Sequence, residues 1–218
     1  MELYFIRHGI AEEQGDNIPD EQRSLTDEGR KKTQKVAKKL RTLGLKFDLI
    51  STSPLVRSRQ TAEILHSYQL STLVESSPHL AFNGDIYTWV NDWLLPKHQA
   101  VKKTLALVGH QPNLGEWAEI LVWGETKQVL VLKKAGIIGL KLPDTGSPIG
   151  RSQMFWLTPP KFFLWQRINN NVKIATATLV AMSGNLSEQI FLNNEWCSHG
   201  GMWIQARSRK YCRRPIKY

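Results

Sequence analysis

Two histidines and two arginines stand out in this 218-residue sequence because each follows an apolar run with the character of a strand. Leu3-Tyr4-Phe5-Ile6 runs into Arg7-His8-Gly9, and Thr104-Leu105-Ala106-Leu107-Val108 runs into Gly109-His110-Gln111-Pro112. Between them, Phe47-Asp48-Leu49-Ile50-Ser51 leads through Ser53-Pro54 to Arg57, Arg59 and Gln60-Thr61-Ala62. In a parallel sheet the carboxyl ends of strands share one edge, so Arg7, His8, Arg57 and His110 are expected around one small volume. The chemistry that suits such a cluster is phosphoryl transfer. A neutral imidazole attacks phosphorus well, and the resulting phosphohistidine can be hydrolysed by water. Guanidinium is always charged and meets phosphate oxygens with a planar fork. Neighbouring arginines would also oppose protonation of His8 and keep its ring nucleophilic. Gly9 is expected to let backbone approach the oxygens, and a helix opening near Pro54 to aim its first amides at the same anion.

Each residue alone has a plainer reading. Arg57 by itself can pair with an acid on a helix surface, and His110 by itself fits a satisfied core histidine. Arg59, two residues beyond Arg57, points away from it on a helix and is expected to be structural. The argument rests on three segments ending in such clusters, one after another.

The elements that would position them alternate between strand and helix. Thr26 can cap a helix whose first residues, Asp27 and Glu28, suit the positive end of the helix dipole. Val36, Leu40 and Leu43 recur at helical spacing among lysines, and Gly44 marks the stop. Pro54 suits the first turn of a second helix, with Ala62, Ile64 and Leu65 inward, and a third runs from Pro112 through Trp117, Ile120 and Leu121. Val129 to Leu132, Ala135 to Leu142 and Gln153 to Leu157 read as strands returning to the sheet. The alternation predicts a three-layer α/β/α sandwich with a mostly parallel sheet. The domain is expected over 1–165, with a C-terminal extension over 166–218 in which Ile174 to Met182 fits either a strand or a helix.

Composition excludes several classes. No run approaches the roughly 18–20 apolar residues of a membrane span. The first residues lack the basic and apolar regions of a secretion signal, and Cys197 and Cys212 form neither a CxxC pair nor a metal-ligand cluster. A cytoplasmic protein without structural zinc, other metal or cofactor is expected. The net charge of +10 is uneven: residues 1–165 hold 21 Lys and Arg against 17 acids, and residues 166–218 hold 8 against 2. The excess lies in Arg207, Arg209, Lys210, Arg213, Arg214 and Lys217, and it reads as a solvated tail. A nucleic-acid-binding protein is the alternative for such a tail, but it leaves the three strand-end clusters unexplained.

Together Arg7-His8-Gly9, Leu25-Thr26-x-x-Gly29, Ser53-Pro54-x-x-Arg57-x-x-Gln60-Thr61-Ala62 and Gly109-His110-x-Pro112 resemble the histidine phosphatase (phosphoglycerate mutase-like) superfamily. Asn83-Gly84-Asp85 and the short turn at His110 resemble its SixA-type phosphohistidine phosphatases. The resemblance covers roughly 1–160. It implies a mixed six-stranded sheet and a metal-independent reaction, with His8 as nucleophile and Arg7, Arg57 and His110 as phosphate pocket. It departs in two places. Gln14 stands where many relatives carry an Asn, and Ser77 to Asp85 contains no Glu to serve as proton donor, leaving His79 or Asp85. An alkoxide leaving group needs a donor more than an imidazole does. The resemblance and the absent acid together favour a phosphorylated histidine protein as substrate, a phosphotransfer or sensor-kinase domain. A small phosphorylated molecule remains the alternative.

Overall fold

Leu3 and Phe5 face one side of the first strand and Tyr4 and Ile6 the other, and all four are buried. A strand apolar on both faces needs a covering layer on each side. The computed structural model describes residues 1–15, 18–97 and 104–164, and the backbone of 196–199 and 202–205. It contains such a sheet. Six strands lie in the order β3 (Val74–Ser76), β2 (Leu49–Thr52), β4 (Thr104–Gly109), β1 (Glu2–Arg7), β5 (Ile137–Lys141) and β6 (Gln153–Thr158). The pairs among β1 to β4 are parallel, whereas β5 and β6 run antiparallel to their neighbours. The mixed, mostly parallel sheet expected from sequence is therefore present.

One face is covered by α1 (Asp27–Thr42) and α2 (Val56–Ser67), which pack Val36, Leu40 and Leu65 on Tyr4, Ile6, Ile50 and Val108. Thr26 caps α1 as expected, its hydroxyl oxygen accepting from the Gly29 amide at 3.0 Å. The other face is covered by α5 (Asn113–Trp123) and a helical stretch over 86–97. That stretch comprises α3 (Ile86–Thr88), a π-helical segment (Trp89–Leu94) and α4 (Leu95–Lys97). Trp89, Trp93 and Trp117 join Leu3, Phe5, Leu105 and Leu107 there. Each large apolar side chain so buried stabilises the fold by about 1.5–3 kcal/mol.

Three local expectations are corrected. The helix after Pro54 begins at Val56, with Leu55 at its N-cap. The strand β3 was not anticipated, since three residues on a sheet edge leave almost no pattern. The expected strand Val129 to Leu132 is a loop. The amides of Lys127, Gln128, Val129 and Leu130 all donate to the carboxylate of Glu119, at 2.6–2.7 Å, instead of to a neighbouring strand.

The chain falls into two compact units, Met1–Ala181 and Met182–Tyr218. In the first, the described residues end at α6 (Lys161–Leu164). In the second, β7 (Trp196–His199) and β8 (Met202–Gln205) form an antiparallel hairpin. The expectations for Ile174 to Met182 and for the basic tail lie outside the described residues.

Candidate active site

Strand register brings the expected cluster together. Parallel pairing sets Arg7 beside Gly109 and Thr52 beside Val108. The ladder continues one step past the strands, with the His8 amide donating to Gly109 at 3.0 Å and the Ser53 amide donating to Val108 at 2.9 Å. His8, Ser53 and His110 are therefore neighbours at one sheet edge, and the two imidazole centroids lie 5.1 Å apart.

His8 is only 6% exposed, and its Nδ1 lies 2.7 Å from the Gly9 carbonyl. A carbonyl can only accept, so Nδ1 carries the proton and Nε2 keeps its lone pair. Burial pushes the His8 pKa down to about 3, helped by His110, Arg57 and Arg7 and opposed by the Gly9 contact. His110 is likewise pushed down to about 3, first by burial and then by the Arg57 charge. Its Nε2 sits 2.8 Å from the Ser53 hydroxyl and 3.3 Å from the Ser58 hydroxyl. Both rings are neutral at pH 7.

The arginines approach from different elements. Arg7, at the end of β1, donates through Nη1 to the Leu132 carbonyl at 2.8 Å. Burial lowers its pKa, yet a guanidinium remains charged at any physiological pH. Arg57, in the first turn of α2, is 1% exposed. Its Nη1 donates to the Asp20 carbonyl at 2.5 Å and its Nη2 to Asp20 Oδ2 at 2.7 Å. Asp20 Oδ1 accepts from Arg23 as well. Partial burial raises the Asp20 pKa, but hydrogen bonds from Arg57 and Arg23 outweigh it and hold the carboxyl below its ordinary value. Arg57 thus pairs with an acid, as its plainer reading allows, but one from the loop before α1 and not from the helix surface. Arg59 is exposed, on the other side of the helix.

Three nitrogens in this cluster are buried without a partner among the described residues: Arg7 Nε, Arg57 Nε and His110 Nδ1. Buried polar atoms are nearly always bonded, so the two unpartnered guanidinium N–H groups signal a place built for an acceptor. An anion with several oxygens would satisfy them.

Other expected residues have different tasks. A Cβ on Gly9 would collide with the Thr33 hydroxyl and crowd Leu25 and Gly29, so Gly9 permits packing against α1, and the backbone approach to oxygens expected of it is not what demands the glycine. Asp85 caps α3, its Oδ2 accepting from the Thr88 amide and hydroxyl, and is exposed. His79 is half-buried in a short turn and Gln14 is exposed. Sequence reasoning missed Asp20, Arg23 and Glu119. The Asp20-x-x-Arg23 spacing was a visible local signal, whereas Glu119 sits at an ordinary helix position. It also missed that Gln111 and Glu119 brace the loop whose Leu132 carbonyl holds Arg7. No cluster of three metal-ligating side chains occurs among the described residues, and no described helix is long and apolar enough to cross a membrane.

A neutral imidazole with a free lone pair, flanked by the guanidiniums of Arg7 and Arg57 at the carboxyl edge of a parallel sheet, is equipment for covalent phosphoryl transfer. The fold and sequence agree with that class. Residues 3–81 match the histidine phosphatase superfamily (branch 1), to which the chain belongs. An uncharacterized protein of Picosynechococcus sp. is 46% identical over 165 residues, covering 75% of this chain and 99% of the relative. Among solved structures, the protein histidine phosphatase SixA complexed with tungstate superposes with a TM-score of 0.65 at 23% identity, covering 74% of this chain and 99% of that one. The alpha-ribazole phosphatase of Shigella flexneri superposes with a TM-score of 0.56 at 19% identity, covering 73% and 97%. The enzyme class is a phosphatase, and at these identities the superpositions speak for the fold alone.

Proposed function

We propose that this phosphatase hydrolyses phosphohistidine on a protein, a histidine phosphotransfer or sensor-kinase domain, through a phosphoryl intermediate on His8. The observation that carries the reading is the pair of orphaned guanidinium donors, Arg7 Nε and Arg57 Nε, beside a neutral His8 and His110. In the first step His8 Nε2 forms a bond to phosphorus while the substrate's P–N bond breaks and its electron pair returns to the leaving imidazole. In the second, water attacks the phosphoryl group on His8, releasing phosphate and restoring the ring with the proton balance made by solvent. The arginines compensate charge on the equatorial oxygens throughout.

The choice of a P–N bond follows from the acids. Asp85, the one carboxylate of the loop 77–85, is committed to capping α3. Asp20 is held ionised by two guanidiniums, the wrong state for a proton donor at neutral pH. Neither carboxylate is therefore a positioned acid for an alkoxide, whereas an imidazole can take its proton at the distal ring nitrogen from solvent. With such a substrate we propose a cytoplasmic location.

Side-by-side kcat/KM on a phosphohistidine protein and a panel of sugar phosphates tests the reading, with His8→Ala as control. Preference for the phosphohistidine protein is expected, together with acid-labile phosphate trapped on the wild type and none on the variant. Preference for a sugar phosphate would replace the reading by that of a small-molecule phosphomonoesterase.

A further inference from the structure

We infer that Phe82 is a leaving-group platform that selects substrates whose phosphoryl group is carried on an aromatic ring; this rests on the phosphohistidine reading above. The position is unusual for an apolar side chain. Phe82 is 46% exposed, yet its ring packs 4.5 Å, centroid to centroid, from that of His110 and lies 5.2 Å from the Arg57 guanidinium carbon. His110 and Arg57 are each 1% exposed, so Phe82 forms the surface rim of the cluster they belong to.

The ring is held there by its backbone. The Asn113 side-chain Nδ2, at the start of α5, donates to the Phe82 carbonyl at 2.7 Å, and the Gly84 backbone amide donates back to the Ala81 carbonyl at 3.0 Å. Gly84 lies so close to the His79 carbonyl that a Cβ would collide with it, which fixes the turn. The one carboxylate of this loop caps α3, and the loop presents an aromatic face to the cluster instead.

The direction of reaction gives that face a use. Ring contacts run from His8 to His110 at 5.1 Å and from His110 to Phe82 at 4.5 Å. In-line displacement drives the leaving group away from His8, towards the rim. A planar imidazole stacks there on apolar surface, while a polyol would desolvate its hydroxyls against a ring offering no hydrogen bond.

The test measures kcat/KM for wild type, Phe82→Ala, Phe82→Leu and Phe82→Trp on phosphohistidine, phosphoramidate, phenyl phosphate and ethyl phosphate. Phe82→Ala should lower the phosphohistidine-to-phosphoramidate ratio and the phenyl-to-ethyl ratio about tenfold each. Phe82→Leu, which keeps apolar bulk against His110, should lower them nearly as far, and Phe82→Trp should preserve them. Equal losses on all four substrates would mean that Phe82 merely supports His110 and Arg57, and would overturn the platform. Failure to turn over phosphohistidine, with the phenyl-to-ethyl ratio still collapsing in Phe82→Ala, would remove the substrate reading and leave the platform standing. Turnover of phosphohistidine with both ratios unchanged in Phe82→Ala would overturn the platform alone.

Discussion

At the scale of single residues, the proposed reaction turns on competition for Arg57. Its guanidinium already serves a carboxylate, and Asp20 receives hydrogen bonds from both Arg57 and Arg23. A phosphoryl group held at the orphaned Arg57 Nε would share a guanidinium whose charge Asp20 already offsets through Nη1 and Nη2. Asp20→Asn removes the competing charge while keeping the shape of the side chain. We expect this variant to bind inorganic phosphate about fivefold more tightly at pH 7, read as the competitive inhibition constant. Unchanged or weaker binding would mean that Asp20 serves only to orient Arg57. His8 is insulated from this competition, because its tautomer is fixed by its own neighbour's carbonyl.

At the scale of elements, the site depends on a loop that has no regular structure. Glu119 is fully buried, and its carboxylate gathers four consecutive amides. Burial raises its pKa, but those four hydrogen bonds hold it below the ordinary value. Two residues further on, Leu132 accepts from Arg7. Glu119→Gln places an amide NH2 against backbone donors and leaves at least two of them unmet. The expected cost is about 3 kcal/mol of stability in urea unfolding. At a temperature where the variant is folded, kcat/KM should also fall about tenfold as the carbonyl holding Arg7 moves. Normal stability would show that the loop holds without the carboxylate, and stability lost with full activity would uncouple the loop from Arg7.

At the scale of the molecule, two neutral buried histidines make stability depend on pH. Their folded pKa values lie near 3, below the ordinary 6.5. Between those values the unfolded chain binds protons that the folded chain refuses, so stability falls as pH drops below 6.5 and is flat with respect to these groups above it. The slope approaches about 1.4 kcal/mol per pH unit for each histidine, and urea midpoints at pH 7, 6 and 5 would measure it. Half the expected slope would mean that one ring charges in place, and equal midpoints that both do. We also propose a catalytic domain that ends near residue 165. Truncation there is expected to leave kcat/KM on a small test substrate within about twofold, since every element described around the cluster precedes it. An inactive or insoluble product would move the boundary towards the C-terminus.

The sequence by itself determined the strands that end in Arg7-His8, Ser53 and Gly109-His110, because buried parallel strands are short apolar runs whose following residues share an edge. It also determined α1, whose cap, charged first turn and apolar spacing are all local. Tertiary structure alone decided what the loops do. Val129 to Leu132 has the composition of a strand, but a strand needs a free neighbour, and Glu119 had already claimed its amides. The partner of Arg57 was hidden because Asp20 lies 37 residues away in sequence. Phe82 was equally hidden, since an aromatic in a loop carries no period. Its meaning comes only from the two buried groups beneath it.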